Sequence, residues 1–222
     1  MVSLSKTIFK AYDIRGIIGK TLDAGIARQI GQAFGQAALA KGERKVVIGR
    51  DGRLSGLELA GALAFGLLEA GVDVVDLGMV ATPMVYFGTN VLGAASGIMV
   101  TGSHNPPDYN GFKMVLAGEA IHGETIGALY DSIAAGGFTP AARRGTFSMH
   151  DIRAEYIARI LGDVKTARPI KIAVDCGNGV AGAFAGAWVS GNIGMAPGCD
   201  CGATGAGASC CSVSNTLVGC FC

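Results

Sequence analysis

The chain has 222 residues and a net charge of +1, from 18 Lys and Arg against 17 Asp and Glu. That balance argues against a nucleic-acid or membrane-surface binder, which needs a basic excess, and the length suits one large domain or two modest ones. Half of the residues are hydrophobic and 16% are charged, so a core can be buried; the 36 glycines, without a G-X-Y period, suit tight turns and ligand loops.

Residues 1–184 read as alternating strands and helices. Thr7 to Ile14 is a short strand candidate. Leu22 to Lys41 carries apolar residues at helical spacing and stops at Gly42, a suitable C-cap. Lys45 to Gly49 is β-branched and short, which predicts a buried strand. Ser55 with Glu58 reads as a capping box for a helix over Gly56 to Ala70, and Gly71 ends it. Val72 to Leu77 is the next strand, Pro83 opens a helix over Met84 to Leu92, and Ser96 to Thr101 is another strand. Phe112 to Leu116 is β-rich, and helices follow over Glu124 to Ala135 and Asp151 to Leu161. Ile170 to Asp175, running into Gly177-Asn178-Gly179, resembles the opening of a second α/β unit. Such alternation predicts an α/β fold: a mixed, mostly parallel sheet sandwiched by helices, followed by the incomplete start of a second α/β domain. The expected core holds Val46, Val47, Ile48, Val74, Val75, Ile98, Met99 and Val100. The expected divisions are 1–148, 149–184 and 185–222.

The last division differs in kind. Six of the seven cysteines lie in the final 24 residues, and residues 185–222 hold a single charge, Asp200, against 34 before them. No helical or strand period is evident there. A thiolate metal cluster, a disulfide framework and a shifted reading frame all fit; the abrupt break favours the last, and with it a poorly ordered tail. The opening residues hold no apolar run of the ~7–15 residues a signal peptide needs, and the ten-residue run Leu59 to Leu68 falls far short of the ~20 of a membrane span, so the cytoplasm is the expected location.

The segment that carries chemistry is Thr101 to Lys113, TGSHNPPDYNGFK. Loops at the carboxyl ends of strands are where open α/β sheets bind ligands. There Ser103 could act as nucleophile or phosphate acceptor, His104 as proton acceptor and Lys113 as anion holder. The same residues also make a plain surface turn, because Asn-Pro-Pro and Asn-Gly are strong turn formers. Arg15, in Tyr12-Asp13-Ile14-Arg15-Gly16, fits a bidentate phosphate holder or a surface ion pair with Asp13. Gly49-Arg50-Asp51-Gly52-Arg53 reads as a charge-paired turn steadying its loop. Cys176 reads as a buried structural thiol, and His122 and His150 have no metal-ligand spacing. A Ser103/His104 hydrolase lacks the Gly-x-Ser-x-Gly elbow.

AYDIRG (11–16), GRDGRLSG (49–56), TPMVYF (82–87), TGSHNPPDYNGFK (101–113) and VDCGNGVAG (174–182) together resemble the first half of a phosphomannomutase/phosphoglucomutase of the α-D-phosphohexomutase family. The resemblance implies an isomerase acting by phosphoryl transfer between the 1- and 6-positions of mannose or glucose phosphates, by way of a hexose bisphosphate. It implies a phosphoserine at Ser103 whose phosphate is one ligand of a bound Mg²⁺. His104, Lys113 and Arg15 match residues beside that serine, with Arg15 and Lys113 also holding substrate. Tyr12 and Asn110 match residues that line the same cleft. Family members run to four domains, and the Asp-Gly-Asp-Gly-Asp-Arg metal loop has no counterpart in this sequence. The chain therefore reads as a truncated, catalytically incomplete mutase. The alternative is a non-catalytic sugar-phosphate or metal-binding module.

Overall fold

The structure is a computed structural model that describes residues 2–164, 175–177 and 179–184, and the backbone of 210–213 and 216–219. Strand β2 (Lys45–Arg50) explains its layering. Successive side chains of a strand face opposite ways, and in β2 both sets are buried. Val46 and Ile48 enter the core shared with α1 (Ala24–Ala40) and α2 (Gly56–Glu69). On the other side a Cβ at Gly49 would lie 2.6 Å from a methyl of Val80 and 2.8 Å from one of Val85. That contact brings α3 (Thr82–Val91) against the second face.

The sheet of the first unit adds β1 (Ile14–Ile17), β3 (Asp73–Met79), β4 (Ser96–Val100), β5 (Tyr109–Leu116), β6 (Glu119–Ala120) and β7 (Phe147–Met149), in the order β1-β5-β4-β2-β3-β7 with β6 beside β5. Strand β2 runs parallel to β3 and β4, β7 parallel to β3, and β5 antiparallel to β1, β4 and β6. The chain steps from β2 outward to β3 through α2, then back past β2 to β4 through α3. Right-handed crossovers in opposite directions put the two helices on opposite faces, so the fold is the expected α/β sandwich on a mixed sheet. Helix α4 (Glu124–Ala135) adds Ile126 and Leu129 to the core of α1 and α2.

Several local expectations change. Residues Lys6–Ile8 form a 3-10 turn rather than a strand, because the Ser5 hydroxyl accepts the Thr7 N–H and Ile8 turns into the core. Ser55 sits in helical backbone and makes no capping hydrogen bond; its hydroxyl accepts from the Asn110 amide at 2.9 Å instead. Helix α1 is capped by Asp23, whose carboxylate accepts the Ile26 N–H at 2.8 Å. Strand β5 begins at Tyr109 because Gly16 and Ile17 of β1 pair with Asn110 and Tyr109. Strand β7 has exposed side chains and so no apolar pattern to betray it; Thr146, just before it, is drawn to β3 by hydrogen bonds to the Asp73 carboxylate. Of the expected core, Val75 is half-buried and the other seven residues are buried.

The chain divides into two compact units, Met1–Asp151 and Ile152–Cys222. The second contains α5 (Arg153–Asp163), a 3-10 turn at Val180–Ala183, and an antiparallel ladder of β8 (Cys210–Val213) and β9 (Thr216–Gly219), which no residue pattern announced. Residues 170–174 of the expected strand, and most of the tail, lie outside the described residues. Cys176 is half-buried rather than buried. No described helix is long and apolar enough to cross a membrane.

At the end of α2, Glu69 is 3% exposed and accepts Arg28 Nε at 2.8 Å, Arg28 Nη2 at 2.6 Å and Gln32 Nε2 at 2.8 Å. The Arg28 hydrogen bonds hold its carboxyl below the ordinary value, against burial that pushes it up. A depressed carboxyl adds stability above its unfolded-state value near 4.3 and loses it as pH falls through the lower folded value. Glu69→Gln should therefore cost about 1–3 kcal/mol at neutral pH. In urea denaturation at several pH values, the gap from the parent should narrow below about pH 4.

Candidate active site

The carboxyl ends of β2 and β4 lie side by side, with Arg50 paired to Val100. The turn after β2 therefore meets the loop after β4, although the two are far apart in sequence. Asp51 joins them: Oδ2 accepts the Thr101 hydroxyl at 2.7 Å and the Gly102 N–H at 3.3 Å, and Oδ1 accepts the Arg53 N–H at 3.0 Å. The Arg53 guanidinium then donates to four loop carbonyls. Nη1 reaches Pro106 at 2.6 Å and Tyr109 at 2.9 Å; Nη2 reaches Ser103 at 2.9 Å and Asn105 at 2.6 Å. Gly102 leaves the room this needs, since a Cβ there would sit 2.3 Å from the guanidinium carbon.

Ser103 stands exposed on this loop in the left-handed region, at φ 52°, where non-glycine residues are uncommon. Its N–H donates to the Thr101 hydroxyl at 2.8 Å, and its own hydroxyl lies 3.2 Å from His104 Nδ1. One strand pair over, Asp13 gathers two cations: Arg15 Nη2 at 2.5 Å and Lys113 Nζ at 3.7 Å. Register explains the gathering. Ile14 pairs with Phe112, so the flanking Asp13 and Lys113 come opposite one another and share a face with Arg15. Beside them opens a cleft of about 630 Å³ lined by Lys10, Tyr12, Arg15, Thr21, Asn105 and Tyr109. Tyr12 is largely exposed there.

The expected site residues thus fall into three places. Ser103 and His104 are hydrogen-bonded to each other. Arg15 and Lys113 share Asp13, and Arg15 and Tyr12 share the cleft with Asn105 of the serine loop; among the described residues neither cation hydrogen-bonds to the Ser103 hydroxyl. Asn110 departs from the cleft position expected of it. It is fully buried, its amide donates to Ser55, and its Oδ1 accepts the Gly111 N–H at 2.9 Å. The charge pairing read within Gly49–Arg53 is present, with Arg53 Nε 3.5 Å from the Asp51 carboxylate, but the carbonyls that Arg53 holds belong to the segment after β4. Asp13 as the common partner of two cations was legible only with the β1–β5 register in hand.

Two substitutions separate these roles. Asn110→Ala leaves the Ser55 hydroxyl and the Gly111 N–H without their partner and should cost about 1–3 kcal/mol. Ser103→Ala keeps the same backbone and removes an exposed hydroxyl, so it should stay within about 0.5 kcal/mol of the parent. Urea denaturation of the three proteins side by side measures both.

Comparison with known proteins bears on this site. The family described as phosphoglucomutase/phosphomannomutase, alpha/beta/alpha domain I, matches residues 6–140. The chain is 50% identical over 186 residues to the phosphoglucomutase of Neisseria meningitidis serogroup B, covering 84% of this chain and 40% of that protein. It is 51% identical over 183 residues to the phosphomannomutase/phosphoglucomutase of Pseudomonas aeruginosa PAO1, covering 82% and 39%. A crystal structure of a phosphoglucomutase/phosphomannomutase family protein from Burkholderia thailandensis superposes with a TM-score of 0.80 at 54% identity, over 85% of this chain and 43% of that one. The chain spans about 40% of the length of the curated relatives it matches. Because the matched span takes in every strand from β1 to β6 and the whole Ser103 loop, the chain belongs to the phosphoglucomutase/phosphomannomutase family.

Proposed function

We propose that the chain supplies the phosphoryl-carrying domain of a hexose-phosphate mutase, with Ser103 as the carrier and mannose or glucose phosphates as substrates. The observation that supports this reading is the placement of Ser103: exposed, at the carboxyl edge of the sheet, with a ring nitrogen 3.2 Å from its hydroxyl.

In the carrier step, Ser103 Oγ attacks a phosphorus of a hexose 1,6-bisphosphate. The Oγ–P bond forms, the bond from phosphorus to the sugar oxygen breaks, and that oxygen takes up a proton to leave a hexose monophosphate. His104 Nδ1 accepts the serine proton when the ring carries its own hydrogen on Nε2. A phosphoryl group in transfer spreads negative charge over its oxygens, so nearby cations lower the barrier. Lys113 and Arg15 meet that need, held by a single carboxylate so that the three groups keep a net positive charge. Tyr12 and Arg15 line the cleft in which the sugar would lie.

The family resemblance also implies Mg²⁺, which would offset phosphate charge when bound. Hard cations of this kind take oxygen ligands, chiefly carboxylates and phosphates. Among the described residues no three His, Cys, Asp or Glu side chains gather as a metal site, and the carboxylates of Asp13 and Asp51 are committed to Arg15 and Arg53. The described residues do not fit the ion by themselves, and no step is assigned to it.

Incubating the chain with glucose 1,6-bisphosphate and measuring its intact mass tests the reading. The parent should gain one phosphoryl group, mapped to Ser103, and Ser103→Ala should gain none. Lys113→Ala should incorporate it about 10²-fold more slowly, as for loss of one preorganised donor. An unmodified parent, or modification elsewhere, would contradict the proposal.

A further inference from the structure

We infer that Arg53 is a positioning residue for Ser103: it sets the direction of the loop's peptide groups, and through them the presentation of the serine. The inference rests on the carrier reading of Ser103. Loop carbonyls usually face water. Here the carbonyls of Ser103, Asn105, Pro106 and Tyr109 all converge on one guanidinium. All four Nη N–H groups thus have a carbonyl acceptor, and Nε forms an ion pair with the Asp51 carboxylate at 3.5 Å. Both side chains of that pair are 15% exposed, so the network is partly shielded from water.

A trans peptide is planar, with C=O and the following N–H pointing opposite ways. Turning the Ser103 carbonyl toward Arg53 therefore turns the His104 N–H away from it. Among the described residues that N–H has no hydrogen-bond partner. The residues after Asn105 and Pro106 are both prolines, so turning those two carbonyls inward strands no amide hydrogen. The negative ends of four carbonyl dipoles are thus all turned onto one cation. Lysine cannot reproduce this arrangement, because an ammonium has fewer donors and no planar fork.

Two measurements on the full chain test the inference. The first is hydrogen exchange by mass spectrometry. The N–H groups of Gly102, Ser103, Asn105 and Tyr109 all donate within the loop or to Asp51. In Arg53→Met their exchange should quicken by about tenfold or more while α1 and β2 keep their protection. Gly102→Ala, which displaces the guanidinium without removing it, should do the same. Unchanged loop exchange, or faster exchange throughout the first unit, would overturn the inference. The second is phosphoryl incorporation from glucose 1,6-bisphosphate. It should fall about 10–100-fold in Arg53→Met and Gly102→Ala, as for a small misplacement of a reacting group, with Arg53→Lys recovering part of the loss. Equal rates in parent and variants would refute a positioning role. A parent that takes up no phosphoryl group would sink the carrier reading instead, and the exchange result would still decide whether Arg53 fixes the loop.

Discussion

Four backbone carbonyls directed at one guanidinium are the constraint on which the rest of the site depends. Pro106 and Pro107 restrict part of this loop, yet its other residues have many conformations open to them, and fixing one costs about 1–2 kcal/mol of entropy per residue. The Arg53 network offsets that cost with charge-assisted hydrogen bonds, each stronger than a neutral pair. Asp51 holds Arg53 from behind, and the parallel pairing of β2 with β4 brings the two segments into reach across an interval of 50 residues. The position of Ser103 is thus a tertiary property, made by the order of strands and not by the loop alone.

The cations follow from the sheet in the same way. Strand β5 is antiparallel to both β1 and β4, so it delivers Lys113 opposite Asp13 and, on the way, anchors the base of the serine loop through Gly111, whose carbonyl accepts the Thr101 N–H at 3.0 Å. The close approach of these strands leaves no room at Gly111, where a Cβ would lie 2.0 Å from the Ile14 carbonyl oxygen. One carboxylate between two cations holds both without cancelling them, which suits the phosphate-receiving role proposed for this face.

Much of the fold was legible in the residue pattern, because both faces of the central strands are apolar and the helices between them carry clear periods. Helix Glu124–Ala135 was read with its true ends. What the pattern hid was settled by partners distant in the chain. Ser55 and Glu58 have the spacing of a capping box, yet the Ser55 hydroxyl is drawn off by Asn110, which itself is buried and not open to the cleft. Strand β7 exists because Asp73 binds Thr146, and its exposed residues give no apolar signal. At the site, Ser103, His104, Lys113, Arg15 and Tyr12 could be named from motifs. That Asp13 links Arg15 to Lys113, and that Arg53 grips the serine loop, required the strand register.

The central claim is that Ser103 carries a phosphoryl group in both directions, and discharge tests that more directly than loading. The phosphorylated chain, freed of small molecules, would be challenged separately with glucose 6-phosphate and mannose 6-phosphate while its intact mass is followed. A true carrier should lose its phosphoryl group to a sugar, with the matching bisphosphate appearing in equal amount. A phosphoserine that persists, or that leaves only as inorganic phosphate, would contradict the account.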